Sequence, residues 1–227
     1  MRKLFLSNNQ LKILAVVSML ADHVGKELFP SVELLQIFGR LAFPIFSFMI
    51  AEGCFYTRDK KKYFLKIAGL ALGCQLVYFI AERSYYQNVL VTFALSVLTI
   101  FAVENFIKKK NLISAALLLA DATAVLFLCF GLSELIAGFQ IDYGIFGLLL
   151  PVLVYFSPTK PMKLIALTLA LAGLSFELGG IQWYSLTAVI PVALYSGKRG
   201  KLKLKYLFYV FYPLHLALIY LVKNLFF

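Results

Sequence analysis

Charge is scarce in this chain: Asp, Glu, Lys and Arg supply 15% of its residues, where soluble proteins carry about 25%. Hydrophobic residues supply 62%, and the mean hydropathy is +0.86. So few charges cannot clothe a soluble core, and the solvent that this composition fits is a bilayer. The same figures exclude a disordered, collagenous or disulfide-scaffold chain. Cysteine is confined to Cys54, Cys74 and Cys129, each inside an apolar segment and none in CxxC spacing, which supports neither a disulfide framework nor a zinc site. Histidine is scarcer still. His23 and His215 are expected on distant helices, so no His-rich metal site and no metal cofactor is expected. A phosphate-binding GxxxxGK(S/T) loop and a GxSxG nucleophile elbow are both missing, which argues against ATP-driven transport and serine hydrolysis. Linkers, repeats and low-complexity segments are missing too, so residues 1–227 are expected to form a single domain.

What the sequence has in quantity is long apolar runs. Nine separate at about Leu11–Phe29, Leu34–Tyr56, Tyr63–Ala81, Val89–Ile107, Leu112–Phe130, Tyr143–Phe156, Met162–Phe176, Trp183–Tyr195 and Tyr206–Leu225. They are continuous, whereas barrel strands alternate over about ten residues. Three of the last four fall short of the ~20 residues that a span usually takes. The net charge of +11 is divided unevenly among the loops. Eighteen of the 22 Lys and Arg residues fall on one side, in clusters around Lys12, Arg58–Lys66, Lys108–Lys110, Lys160–Lys163 and Lys198–Lys205. Lys26, Arg40, Arg83 and Lys223 are the remainder. This division follows the positive-inside rule, and no aromatic-interleaved basic face suggests nucleic acid. The expected fold is all-α: a single compact bundle of about nine transmembrane helices in the cytoplasmic membrane, N-terminus cytoplasmic and C-terminus external. Met1-Arg2-Lys3 opens like a signal peptide, but Lys12 interrupts the run and Asp22-His23 stands where a cleavage site belongs, so a retained first helix is expected.

Ionisable groups inside spans cost about 2.5–3.5 kcal/mol each on insertion scales, so they mark function. Asp22-His23 is the leading pair. His23 lies eleven residues past Lys12, about 16 Å along a helix, in the outer half of the first span. A carboxylate near an imidazole suits a base held in one tautomer, although adjacent helical residues diverge by about 100°, so Asp22 has the option of orienting another group. Arg40 opens the second span at similar depth, where it either snorkels or faces Asp22 across the short Lys26–Ser31 turn. Glu52, followed by Gly53, lies near the inner end of the same run, where the glycine suggests close helix packing. Gln75 sits mid-span, as either an interhelical hydrogen-bonding group or part of the site. Asp142-Tyr143-Gly144 opens the sixth run, with an N-cap as the structural reading of Asp142. His215, nine residues past Tyr206 and after Tyr212-Pro213, lies near mid-bilayer. Glu104 and Asp121 also fall inside apolar runs, with no partner evident from the sequence.

These residues stand in recognisable blocks. Leu11-Lys-Ile-Leu-Ala, Met19-Leu-Ala-Asp22-His23-Val-Gly and Gly39-Arg40-Leu-Ala-Phe-Pro44, with Ala51-Glu52-Gly53, resemble the TraX family of integral-membrane proteins. The likeness continues through Tyr56-Thr-Arg58-Asp-Lys-Lys-Lys-Tyr63, Asp142-Tyr143-Gly-Ile-Phe-Gly147, Tyr195-Ser-Gly-Lys198-Arg199-Gly200 and Tyr206–His215. TraX proteins are associated with N-terminal acetylation of conjugative pilin and look related to multi-span membrane acyltransferases. The resemblance thus implies transfer of an acetyl or other short acyl group from cytoplasmic acyl-CoA, the donor substrate, to an acceptor at the outer face. It implies His23 as the catalytic imidazole with Asp22 beside it, and Arg40 and Glu52 shaping the site.

The residues fit that chemistry. Acyl transfer takes a base for the acceptor amine or hydroxyl and positive groups for the donor phosphates. His23 suits the first role; Arg58, Lys198 and Arg199, each shortly after a Tyr at an inner helix end, suit acyl-CoA binding, with topogenic charge as their structural reading. Gln75, Asp142, Tyr143 and His215 complete the candidate set. The acceptor would be an extracytoplasmic peptide amine, glycan or small-molecule hydroxyl. The competing function is a small proton-coupled transporter using the same Asp22, His23, Arg40 and His215; no inverted repeat supports it. A third reading, a scaffold for assembling surface proteins, leaves His23 unexplained.

Overall fold

A computed structural model describes residues 5–200 and 205–226, without the side chains of 81–82 and 205–209. Arg2, Lys3, Lys201 and Lys203, counted above among the cytoplasmic charges, lie outside the described residues, as do the side chains of Lys205 and Tyr206. The chain groups into two compact units, Met1–Met49 with Leu167–Phe227, and Ile50–Ala166.

In the first unit, α1 (Asn8–Glu27) starts at a capping box. Ser7 Oγ accepts from the Gln10 amide at 3.4 Å, and Gln10 Oε1 accepts from the Ser7 amide at 2.9 Å, so two orphan donors are satisfied. The second apolar run folds as α2 (Glu33–Gly39) and α3 (Ala42–Tyr56), broken at Arg40–Leu41. Pro44 explains the break: it has no N–H to give the Arg40 carbonyl and is tolerated in the first turn of α3. After α9 (Lys160–Leu178), Gly179 and Gly180 take positive φ (67° and 51°), which ends the α-helix. The eighth run is therefore not one regular helix. It is a 3₁₀ segment, Gly180–Ala188, followed by the five-residue α10 (Val189–Ala193), whose Pro191 cannot donate to the Thr187 carbonyl. The chain then returns to the start of α1. The Leu6 amide donates to Leu194 O at 2.8 Å, Ser196 N to Leu6 O at 2.9 Å, and Asn8 N to Lys198 O at 2.8 Å. The last helix of the described chain (Lys205–Phe226) packs along α1. His23 meets His215, and four residues on Glu27 accepts from Lys223 at 2.8 Å, so these two helices run in the same direction.

The second unit holds α4 (Lys60–Glu82), α5 (Val89–Lys109), a continuous helix made of α6 (Leu112–Leu126), a π turn over Phe127–Gly131 and α7 (Leu132–Leu135), and α8 (Gly144–Phe156). Asp59, Asn88 and Asn111 cap three of these helices with their side chains. In lipid, helix association relies on small residues and polar contacts. On α5, Thr92, Ala94, Ser96 and Val97 are buried, and Ser96 Oγ donates to Leu148 O of α8 at 2.7 Å. By contrast, Leu112, Ile113, Leu117 and Leu119 are exposed, an apolar face suited to acyl chains. Short strands Tyr86–Gln87 and Gln140–Ile141 pair in parallel and close one end of this unit. At the other end of α5 the charges gather: Glu104 accepts from Lys60, from Lys108 and from Tyr155 Oη (3.1 Å).

Among the described residues, five helices are long and apolar enough to cross a membrane: Glu33–Tyr56 counted through its break, Lys60–Ile80, Val89–Lys109, Leu112–Leu135 and Lys160–Leu178. The chain is thus a helical protein of membrane character.

Candidate functional site

The first unit draws Asp22, His23, Arg40 and His215 into one cluster. The α1–α2 hairpin is tight because its glycines permit it. A Cβ on Gly25 would lie 2.8 Å from Leu35 Cβ, and one on Gly39 would strike the Asp22 side chain and backbone. That approach brings Arg40, at the α2 C-terminus, against Asp22, which is 7% exposed. Asp22 Oδ1 accepts from Arg40 Nη2, and Oδ2 accepts from Lys26 Nζ at 2.6 Å. Arg40 also donates from Nη1 to Gln182 Oε1 at 3.3 Å and from Nε to Gln36 O at 3.3 Å. Arg40 thus faces its carboxylate rather than snorkelling, and Asp22 orients this guanidinium.

His23 points elsewhere. Its Nδ1 lies 2.8 Å from Met19 O and 3.4 Å from His215 Nε2. The two rings meet edge to face with centroids 5.0 Å apart. His215 is buried, with Nδ1 2.8 Å from Phe211 O. The two histidines are therefore neighbours despite 192 residues between them, and the expectation that they lie on distant helices is corrected here. Two imidazoles do not make a metal cage, and no group of three metal-ligating side chains exists among the described residues.

A carbonyl oxygen only accepts, so the Met19 contact requires a proton on His23 Nδ1, and the neutral ring then carries its lone pair on Nε2. Chemically, the cluster offers an imidazole lone pair on a half-buried ring and a carboxylate–guanidinium pair on the adjacent residue.

The remaining candidates occupy other places. Lys198 and Arg199 are exposed in the loop that docks on the start of α1, and Arg199 is close enough to Lys12 for their charges to interact. In the second unit Glu52 is buried and accepts from Lys163 Nζ at 2.6 Å, while a Cβ on the adjacent Gly53 would run into the Tyr63 ring. Arg58 is exposed next to an open groove lined by Asp59, Lys61, Lys62, Leu65 and Lys66. Gln75 and Asp142 join one network. Gln75 Nε2 donates to Tyr86 O at 2.8 Å, its Oε1 accepts from the Asn88 amide at 2.9 Å and side chain at 2.7 Å, and Tyr86 Oη donates to Asp142 Oδ1 at 2.6 Å. Burial, and then the Asp142 carboxylate, hold the Tyr86 phenol well above its ordinary pKa, so it remains a donor. Tyr143, in the left-handed region at φ 60°, occupies the N-cap position of α8, and the preceding Asp142 uses its carboxylate on Tyr86. Gln182 and Tyr86 were missed in the sequence: a polar residue in a Gly-rich turn and a tyrosine in a loop carry no periodic signal.

Comparison with known proteins adds the family. The TraX protein family model matches residues 7–223. The chain is similar to a probable fimbrial assembly protein FimC, serogroup H1, of Dichelobacter nodosus, 28% identical over an alignment of 250 positions, gaps included, that covers 96% of each chain. A shorter stretch of 52 residues is 40% identical to the uncharacterized protein RP591 of Rickettsia prowazekii (strain Madrid E), covering 23% of this chain and 21% of that one. No solved structure matches. With its model matched over nearly the whole length, bearing the Asp22–Arg40 pair and the His23–His215 contact within that match, the chain belongs to the TraX family.

Proposed function

We propose that this protein is a membrane-embedded acyltransferase that moves an acetyl or other short acyl group from cytoplasmic acyl-CoA to an extracytoplasmic acceptor, with His23 as general base. The observation that carries the reading is the bare Nε2 of His23, fixed by the Nδ1 contact to Met19 O on a half-buried ring. A base has to meet the acceptor with a lone pair, and this ring presents one. The acceptor's lone pair forms a bond to the thioester carbonyl carbon while His23 Nε2 takes the acceptor's proton. The C–S bond then breaks with its electrons on sulfur, and the Nε2 proton passes to the thiolate.

Donor phosphates cannot enter hydrocarbon, so they stop at water. In the first unit the exposed Lys198 and Arg199 lie at the start of α1, the helix on which His23 stands eleven residues past Lys12, about 16 Å further along. That spacing supports entry of the thioester arm beside α1. Arg58, with the lysine groove beside it, is the corresponding basic surface of the second unit. The parallel course of α1 and the last helix supports an odd number of crossings and so termini on opposite sides, and the Lys and Arg division supports a cytoplasmic N-terminus and an external C-terminus for a multi-pass protein of the cell membrane.

The likeness to the Dichelobacter protein, a probable fimbrial assembly protein, supports a pilin-like N-terminal amine as acceptor over a glycan or small-molecule hydroxyl. The test is to incubate the purified full-length protein in nanodiscs with acetyl-CoA labelled in the acetyl group, adding peptide amines or sugars. Acceptor-dependent movement of label off the thioester is expected. An intact thioester with every acceptor class would overturn the reading.

A further inference from the structure

We infer that His215 is a positioning residue for His23: together with the Met19 carbonyl it accepts the Nδ1 proton of His23 and so keeps His23 Nε2 bare for the base role. For the reaction this rests on the acyl-transfer reading above; for the tautomer it rests on geometry alone.

Two carbonyls determine where the protons are. Met19 O faces His23 Nδ1 at 2.8 Å and Phe211 O faces His215 Nδ1 at 2.8 Å, so each Nδ1 carries a proton and each neutral ring has its lone pair on Nε2. The 3.4 Å contact between the rings then has a direction. His23 Nδ1–H is shared between Met19 O and His215 Nε2, which leaves the opposite nitrogen of His23 for chemistry. His215 is itself held. It is 3% exposed, its ring stacks on Phe211 with centroids 4.9 Å apart and 7° between planes, and Tyr212 packs edge-on at 5.6 Å. A side chain fixed in this way does not turn to serve as the base.

The pair also shapes the charged state. When His23 Nε2 takes the acceptor's proton, the imidazolium's Nδ1–H already points at two lone pairs, so the charge appears against acceptors that need no rearrangement. Complete passage of the Nδ1 proton to His215 would leave a bare Nδ1 facing the Met19 carbonyl, two acceptors with no hydrogen between them. The proton accordingly stays on His23, and the Nε2 proton leaves for the thiolate.

Because the chain has two histidines, nitrogen-15 histidine labelling of the full-length protein in lipid nanodiscs yields two imidazoles to assign. At mildly alkaline pH both Nδ1 atoms are expected to be protonated and both Nε2 atoms bare, with scalar coupling across the hydrogen bond from His23 Nδ1 to His215 Nε2. His215→Phe should lose that coupling and lower kcat by about ten- to a hundredfold at unchanged KM, the worth of a hydrogen bond to a charged group. His215→Gln, whose amide oxygen can replace Nε2 as acceptor, should restore kcat to within a few-fold. A wild-type His23 protonated on Nε2, or wild-type turnover in His215→Phe, would overturn the inference. Coupling in a protein that transfers no acyl group counts against the acyl-transfer reading alone, whereas missing coupling in an active enzyme counts against His215 alone.

Discussion

A buried carboxylate is governed by what its removal would leave behind. Asp22 has Arg40 on one oxygen and Lys26 on the other, and the Lys26 side chain is 44% exposed against 11% for Arg40, so Arg40 is the partner that matters. Arg40→Met leaves the carboxylate with the solvated lysine, and a loss of about 3–5 kcal/mol is expected, read as lower yield and melting temperature in detergent. Combining it with Asp22→Leu should recover most of that loss, since an apolar replacement of a buried pair is often neutral. Losses that simply add would show that the two charges do not depend on each other. Tyr86→Phe is a milder case. It removes one donor from Asp142, with an expected cost of about 1–3 kcal/mol in the same melting measurement and little effect on an acyl-transfer assay.

Between elements, close approach is set by glycine. Gly39→Ala would drive a methyl group into Asp22, so a cost of about 1–3 kcal/mol and a displaced Arg40 are expected, visible as a lower melting temperature. The hairpin was legible in the sequence because a turn of a few residues between two apolar runs leaves Arg40 little choice of carboxylate. The runs that became α4, α5 and α9 were equally legible, since length and continuity report a helix in lipid. The eighth run was not. Hydropathy measures the apolar character of a segment, not its helical type, and Gly179-Gly180 with Pro191 turned it into a 3₁₀ segment and one short turn of α-helix. Contacts between distant segments were illegible for another reason. Helix periodicity identifies a face, not the helix that covers it, so His215 against His23, Gln182 against Arg40 and Lys60 against Glu104 waited for the structure.

For the molecule as a whole the charge division makes the sharpest demand. In the second unit, Lys60 and Lys108 meet at Glu104 while the Tyr86 and Asp142 segments pair at the opposite end of α5, as loops of opposite sides should. In a background lacking Cys54, Cys74 and Cys129, single cysteines at Lys61, Lys109 and Arg199 are expected to react with impermeant reagents only from the cytoplasm. One at the exposed Tyr85 should react from outside; the buried Asn88 beside it makes a poor probe. External labelling at Lys109 would contradict the topology.

The measurement that bears most directly on the central claim is single-turnover acetyl transfer from labelled acetyl-CoA by the wild-type protein and by His23→Ala, each in nanodiscs and each checked for melting. Loss of a general base removes about 10²–10⁴ of rate. The expected result is a His23→Ala protein that folds, still binds acetyl-CoA, and transfers acetyl slower by at least that lower bound. Near-normal transfer in a well-folded His23→Ala protein would contradict the account, and the Nε2 lone pair of His23 would then have no part in the chemistry.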